Sequence, residues 1–197
     1  MARCAAILVL CLLAACATPR EPVQGPAFSY VEILNGAIVT SHALRLRVEA
    51  GAGFRATPVT SRVAQFGGHS YEVSLAALLG PGEAVMVHAE RAADSSGASN
   101  YDDLPRAGWP DPRFRLRSMC DEIDAATAAQ EHDLAFLARN GWNPEGALAL
   151  EQYLATTADH NQEVVVSLVV RVPGCDQADA VQAALRRLRE KVRVGPA

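Results

Sequence analysis

The chain is short of lysine, of long apolar runs and of catalytic signatures, and each shortage removes a class of protein. Lys191 is the only lysine among 18 basic residues, and the formal net charge is −4. With no basic clusters to neutralise phosphates, the chain is not expected to bind nucleic acid. The preference for Arg, with the abundant Ala, reads as the composition of a GC-rich genome. The uncharged run Cys4 to Ala15 is too short to span a bilayer, which takes about 20 apolar residues. Gly-x-Ser-x-Gly, Ser-x-x-Lys, His-Glu-x-x-His and phosphate-loop motifs are all absent. Gly51-Ala52-Gly53-Phe54-Arg55-Ala56 fits a loose dinucleotide-binding pattern, but Thr57-Pro58-Val59-Thr60 does not open a helix after it. Without a helix amino terminus nothing holds a pyrophosphate, so this stretch reads as a turn.

What is present begins at the amino terminus. Met1-Ala2-Arg3 supplies one positive charge, the apolar run follows, and Leu13-Ala14-Ala15-Cys16 leads into the polar, Pro-bearing Ala17 to Pro22. This is the layout of a secretory signal. Leu-Ala-Ala-Cys resembles the lipobox of bacterial lipoproteins. The resemblance covers about sixteen residues. It implies cleavage before Cys16, a diacylated thiol at Cys16 carrying acyl chains such as palmitate, and usually an acylated amine. Two or three chains give stable attachment where one gives only marginal binding. Asp after the cysteine marks retention in the inner membrane; Ala17 stands there, which implies the outer membrane, periplasmic side. An ordinary signal cut at Ala15-Cys16-Ala17 is the alternative.

Loss of residues 1–15 removes Arg3 and no acid, leaving 17 basic and 22 acidic residues and a net charge of −5. About 180 residues suffice for one domain with a substantial core. Cys4 and Cys11 leave with the signal and Cys16 takes lipid. Cys120 and Cys175 then remain as an even pair in an oxidising compartment and are expected to form a disulfide. Two buried free thiols are the alternative.

Residues 16–26 read as the lipidated Cys and a Pro-rich tether, and residues 27–194 as a single globular domain. Phe28 to Leu34 predicts a strand, Asn35-Gly36 a tight turn, and Ala37 to Glu49 a second strand with Leu44, Leu46 and Val48 on one face. Ser70 to Leu75 and Ala84 to Arg91 predict two more strands around Gly80-Pro81-Gly82. Asp94 to Pro112 is a long polar loop, and Arg113 to Arg117 a short strand. Asp121 to Arg139 has helical spacing and ends at Asn140-Gly141; Asn143-Pro144 then predicts a helix to about Tyr153 or Ala155. Glu163 to Val172 reads as a central strand covered on both faces, and Asp176 to Val192 as a final helix. The sum is an α+β domain, a mainly antiparallel sheet with about three helices packed on it.

Candidate functional residues are sparse. His88 and Glu90 share one strand face with Met86, an arrangement suited to an acid–base pair or a metal, although an exposed polar face is the plainer reading. His42 and His69 read as strand residues at the core margin, and His132 as a solvated helix residue. Asp94, Asp102 and Asp103 lack the spacing of a calcium loop. Asp159-His160-Asn161-Gln162-Glu163 forms a polar lip before the buried strand, with Asp159 and His160 as binding candidates. Tyr101, Trp109 and Phe114 lie in or beside the long loop; exposed they make a recognition patch, buried they fold the loop onto the sheet. No cofactor beyond the Cys16 lipid and no metal is expected. Three functions remain open: a non-enzymatic accessory lipoprotein that binds an envelope protein partner, which is the first expectation; a ligand-binding lipoprotein; and a hydrolase without a recognisable motif. A deep pocket uniting these polar groups favours the second or third, an exposed aromatic patch the first.

Overall fold

The computed structural model describes residues 27–197; the expected signal, Cys16 and the tether lie outside them. In chain order the elements are β1 (Val31–Leu34), β2 (Ala37–Thr40), β3 (Arg47–Ala50), β4 (Arg55–Ala56), β5 (Thr60–Phe66), β6 (His69–Gly80), β7 (Glu83–Ala92), β8 (Arg115–Ile123), α1 (Ala125–Gln130), α2 (His132–Arg139), β9 (Gly146–Thr156), β10 (Gln162–Arg171), α3 (Ala178–Lys191) and β11 (Val192–Gly195). They build a single α+β domain in which every strand pairing is antiparallel.

A small sheet has the order β1-β2-β3-β11. Asn35 and Gly36 turn β1 into β2 with φ of 52° and 78°, the paired positive values of a two-residue hairpin. The strand expected over Ala37 to Glu49 is broken between β2 and β3. Thr40 Oγ1 accepts from Leu46 N at 2.8 Å and donates to Leu44 O at 2.5 Å. One side chain therefore satisfies the backbone of the bend and frees it from the ladder.

The large sheet has the order β4-β6-β7-β10-β9-β8, with β5 also paired to β6. β10 sits at its centre, as its continuous apolar run predicts. Val164, Val166, Leu168 and Val170 face the small sheet and α3, where Val48, Leu185 and Leu188 meet them in the main core. Val169 faces the other way with Leu75, Met86 and Leu148, beneath Phe136 and Leu137 of α2 and Trp142. The sheet is thus covered on both sides.

Two expectations are corrected. The segment after Asn143-Pro144 is strand β9, not a helix. Ala147, Ala149, Tyr153 and Ala155 bury one face of it and Leu148 and Leu154 the other. Its pairing with both β8 and β10 overrides the helix propensity of Ala, Leu and Glu. The helix expected from Asp121 begins later and is split. Asp121 to Ile123 complete β8, Asp124 caps α1 by accepting from Thr127 N at 2.7 Å, and Glu131 adopts an extended conformation that separates α1 from α2. Cys120 and Cys175 stand at disulfide distance, Sγ–Sγ 2.11 Å and Cα–Cα 5.5 Å, joining the edge strand β8 to the turn before α3.

Candidate functional site

Register decides which polar groups meet on the α2 face of the large sheet. Glu90 of β7 lies directly opposite Glu163 of β10, and His88 opposite Val165. One step further, Ser167 lies opposite both Met86 and Gln152. A polar strip therefore crosses a face that is otherwise apolar. The strip is buried: His88 is 5% exposed, Glu90 7% and Glu163 4%. This corrects the exposed polar face expected for His88 and Glu90, because α2 and the 94–101 segment close over them.

Two adjoining cavities of about 610 and 380 Å³ open beside this strip and share Phe66, His88, Glu90, Asp133 and Gln152. Met86, Met119, Leu134 and Leu150 form an apolar wall in the larger one. Tyr71, Tyr101 and Glu163 line the smaller one. Together they make a cleft between the sheet, the α1–α2 pair and the start of the long loop, of a size suited to a small molecule.

The electrostatics follow from burial and neighbours. Burial pushes the Glu90 carboxyl up to about 8; Glu163 and Asp133 add to this and His88 opposes it. Burial pulls the His88 imidazolium down, but the charge and hydrogen bond of Asp133, with Glu90, outweigh it and leave His88 at about 9. Nε2 of His88 donates to Asp133 Oδ1 at 3.3 Å. Asp133 is itself held below the usual carboxylate range, since His88 outweighs the effect of its own burial. Tyr101 is raised by burial and by Glu163. At neutral pH the cleft thus contains an imidazolium–carboxylate pair and a facing pair of carboxyls of which Glu90 retains its proton. The Oε2 atom of Glu163 is buried without a hydrogen-bond partner. A buried carboxylate oxygen in that state is costly unless something else completes it.

Most of the sequence candidates lie elsewhere. Phe114 is fully buried in the main core, and Trp109 packs edge-on against Tyr153 at 4.6 Å between ring centroids. Only Tyr101 of that trio reaches the cleft. Asp159 closes the β9–β10 turn, accepting from Thr157 Oγ1 at 2.6 Å and Asn161 N at 3.2 Å, while His160 Nδ1 is 3.2 Å from Thr156 Oγ1. That turn holds the long loop, through Gly97 N to Asn161 Oδ1 at 2.8 Å and Ser99 N to His160 O at 3.1 Å. Asp94 pairs with His69 at 2.9 Å and Asp102 with Arg115 at 2.6 Å. Among the described residues no group of three or more His, Cys, Asp or Glu is arranged to hold a metal.

The residues missed from sequence are Asp133, Gln152 and Arg62, and Glu163 is read there only as the end of the polar lip and the start of the central strand. Alternation along β10 carried the missing signal, since it puts Glu163 on the face of Val165 and Ser167. No family model, no curated protein and no solved structure matches this chain.

Proposed function

We propose that this is a membrane-tethered ligand-binding domain, anchored through lipid on Cys16 at the periplasmic face of the outer membrane, with the cleft between α2 and the large sheet as its site. The observation that carries the reading is the buried polar strip of His88, Glu90 and Glu163 along two adjoining cavities of about 610 and 380 Å³. A sheet needs no such groups for stability, since burying ionisable residues costs free energy that apolar ones would not. A few converging polar groups on an apolar wall are the ordinary form of a small-molecule site. The aromatic trio, a recognition patch only if exposed, supports partner binding less well, because Phe114 and Trp109 are taken up by packing.

The test is recovery of the occupant. The full chain, purified natively from membranes, is denatured and extracted, and the extract compared by mass spectrometry with that of Met119→Trp. Met119 is 39% exposed at the cleft wall, so the larger ring fills the site without disturbing the core. A small molecule recovered from the wild type and lost from the variant supports the reading. Identical extracts from the two, with envelope proteins co-purifying instead, refute it in favour of an accessory role.

A further inference from the structure

The cleft has a sign. Beyond the protonated Glu90 and the His88-paired Asp133, four acids line its two cavities, Asp121, Glu122, Glu131 and Glu163, against two arginines, Arg62 and Arg117. Arg62 is directed over the Phe66 ring, 5.9 Å from its centroid, and the His88 charge is matched by Asp133. The acids therefore stay in excess. At the inner end Glu163 is 4% exposed, lines the smaller cavity, and leaves Oε2 unpartnered. Tyr71 and Tyr101 also line that cavity. The larger cavity carries an apolar wall of Met86, Met119, Leu148 and Leu150 beside its acids Asp121, Glu122 and Glu131.

We infer that the occupant is an amphiphilic monocation, a protonated amine that donates to Glu163 Oε2 and lays an apolar chain along the Met86–Leu150 wall. The inference rests on the ligand-binding reading above. An ammonium group supplies the donor that the orphaned oxygen lacks, and its charge answers the acid excess of the walls. Tyr71 and Tyr101, which line the same cavity, are residues of the type that can also attract a cation. A neutral hydroxyl of equal length would complete the hydrogen bond but not the charge, and a carboxylate would meet like charge at Glu163. The methionine wall suits a flexible chain, because thioether side chains adapt to irregular apolar shapes.

The experiment is calorimetric titration at pH 7 of the full chain carrying Cys16→Ser, kept free of detergent, with n-octylammonium, n-octanol and n-octanoate. One octylammonium is expected to bind per chain, at least about tenfold more tightly than octanol, with octanoate weakest. Glu163→Gln is expected to remove that preference, and Met119→Trp to weaken all three alike. Equal binding of octanol and octylammonium overturns the cation assignment and leaves the cleft standing as a ligand site. Preference for the cation that survives Glu163→Gln, in a variant with unchanged circular dichroism, also overturns it. If none of the three binds and native extraction yields no small molecule, the ligand-binding reading itself falls.

Discussion

Glu90→Gln is expected to make the full chain more stable than the wild type at pH 8 and equal to it at pH 5. Glu90 is 7% exposed, and its carboxyl is raised from 4.5 to about 8 by burial and its acidic neighbours. The folded chain therefore holds this proton over a pH range in which the unfolded chain has lost it, and stability falls as pH rises. The fall begins above pH 4.5 and is complete near 8. At about 1.4 kcal/mol per pH unit, the interval from 4.5 to about 8 sets a ceiling of about 5 kcal/mol. The coupling of Glu90 to its neighbours, the His88 charge among them, reduces this, so a net difference of about 2 kcal/mol is expected. Gln keeps the size while removing the titration. His88 acts in the same direction in a later window: its raised value stabilises fully below 6.5 and the contribution is lost as pH rises through about 9. His42, lowered by burial, works in the opposite sense below 6.5 and cancels between the two chains. Urea unfolding followed by tryptophan fluorescence from pH 5 to 9 measures the difference. Parallel curves for the two chains, or a wild type that gains stability from pH 5 to 8, would refute the reasoning.

Two further outcomes test other parts of the structure. Replacing both Cys120 and Cys175 by Ala opens a closure of 55 residues, worth about 4 kcal/mol in the chain-entropy treatment, and the midpoint of thermal unfolding is expected to fall by roughly 10 °C; an unchanged midpoint counts against a formed bond. Cys16→Ser is expected to abolish labelling by a radiolabelled fatty acid and to release the protein from membranes on fractionation; a variant that stays membrane-bound, beside an unlabelled wild type, removes the anchor.

Local chemistry made part of the fold legible. Asn35-Gly36 can turn two strands because both residues accept positive φ, and the structure uses them so. Val164 to Val170 announced a strand with two covered faces, and Val181, Leu185 and Leu188 the buried stripe of α3. β9 was hidden because Ala, Leu and Glu favour helices in isolation, and only its place between β8 and β10 makes it extended. β5 was hidden for another reason: Arg62, Val63 and Gln65 show no buried face, since the strand lies at a sheet edge and Val63 is 59% exposed. The site was half legible. His88 and Glu90 share a face by simple alternation, but nothing local says that Asp133, 45 residues from His88, arrives above them. The opposition of Glu90 and Glu163 likewise depends on long-range register.

That register has a consequence for how the chain selects its fold. β10 is apolar on both faces, so sliding it by one residue against β7 or β9 would exchange valines for valines at nearly every position. Hydrophobic pattern alone would scarcely notice. Glu163 and Ser167 would notice, because a slip turns both into the main core beside Leu185 and Leu188, and moves away the Glu163 carbonyl that accepts from His42 Nε2 at 2.9 Å. The polar residues of the cleft thus act as a key that fits only one alignment of the central strand, as a single buried polar residue does between the helices of a coiled coil. Making Glu163 and Ser167 both valine would give a greasier sheet with less reason to choose between its neighbouring alignments.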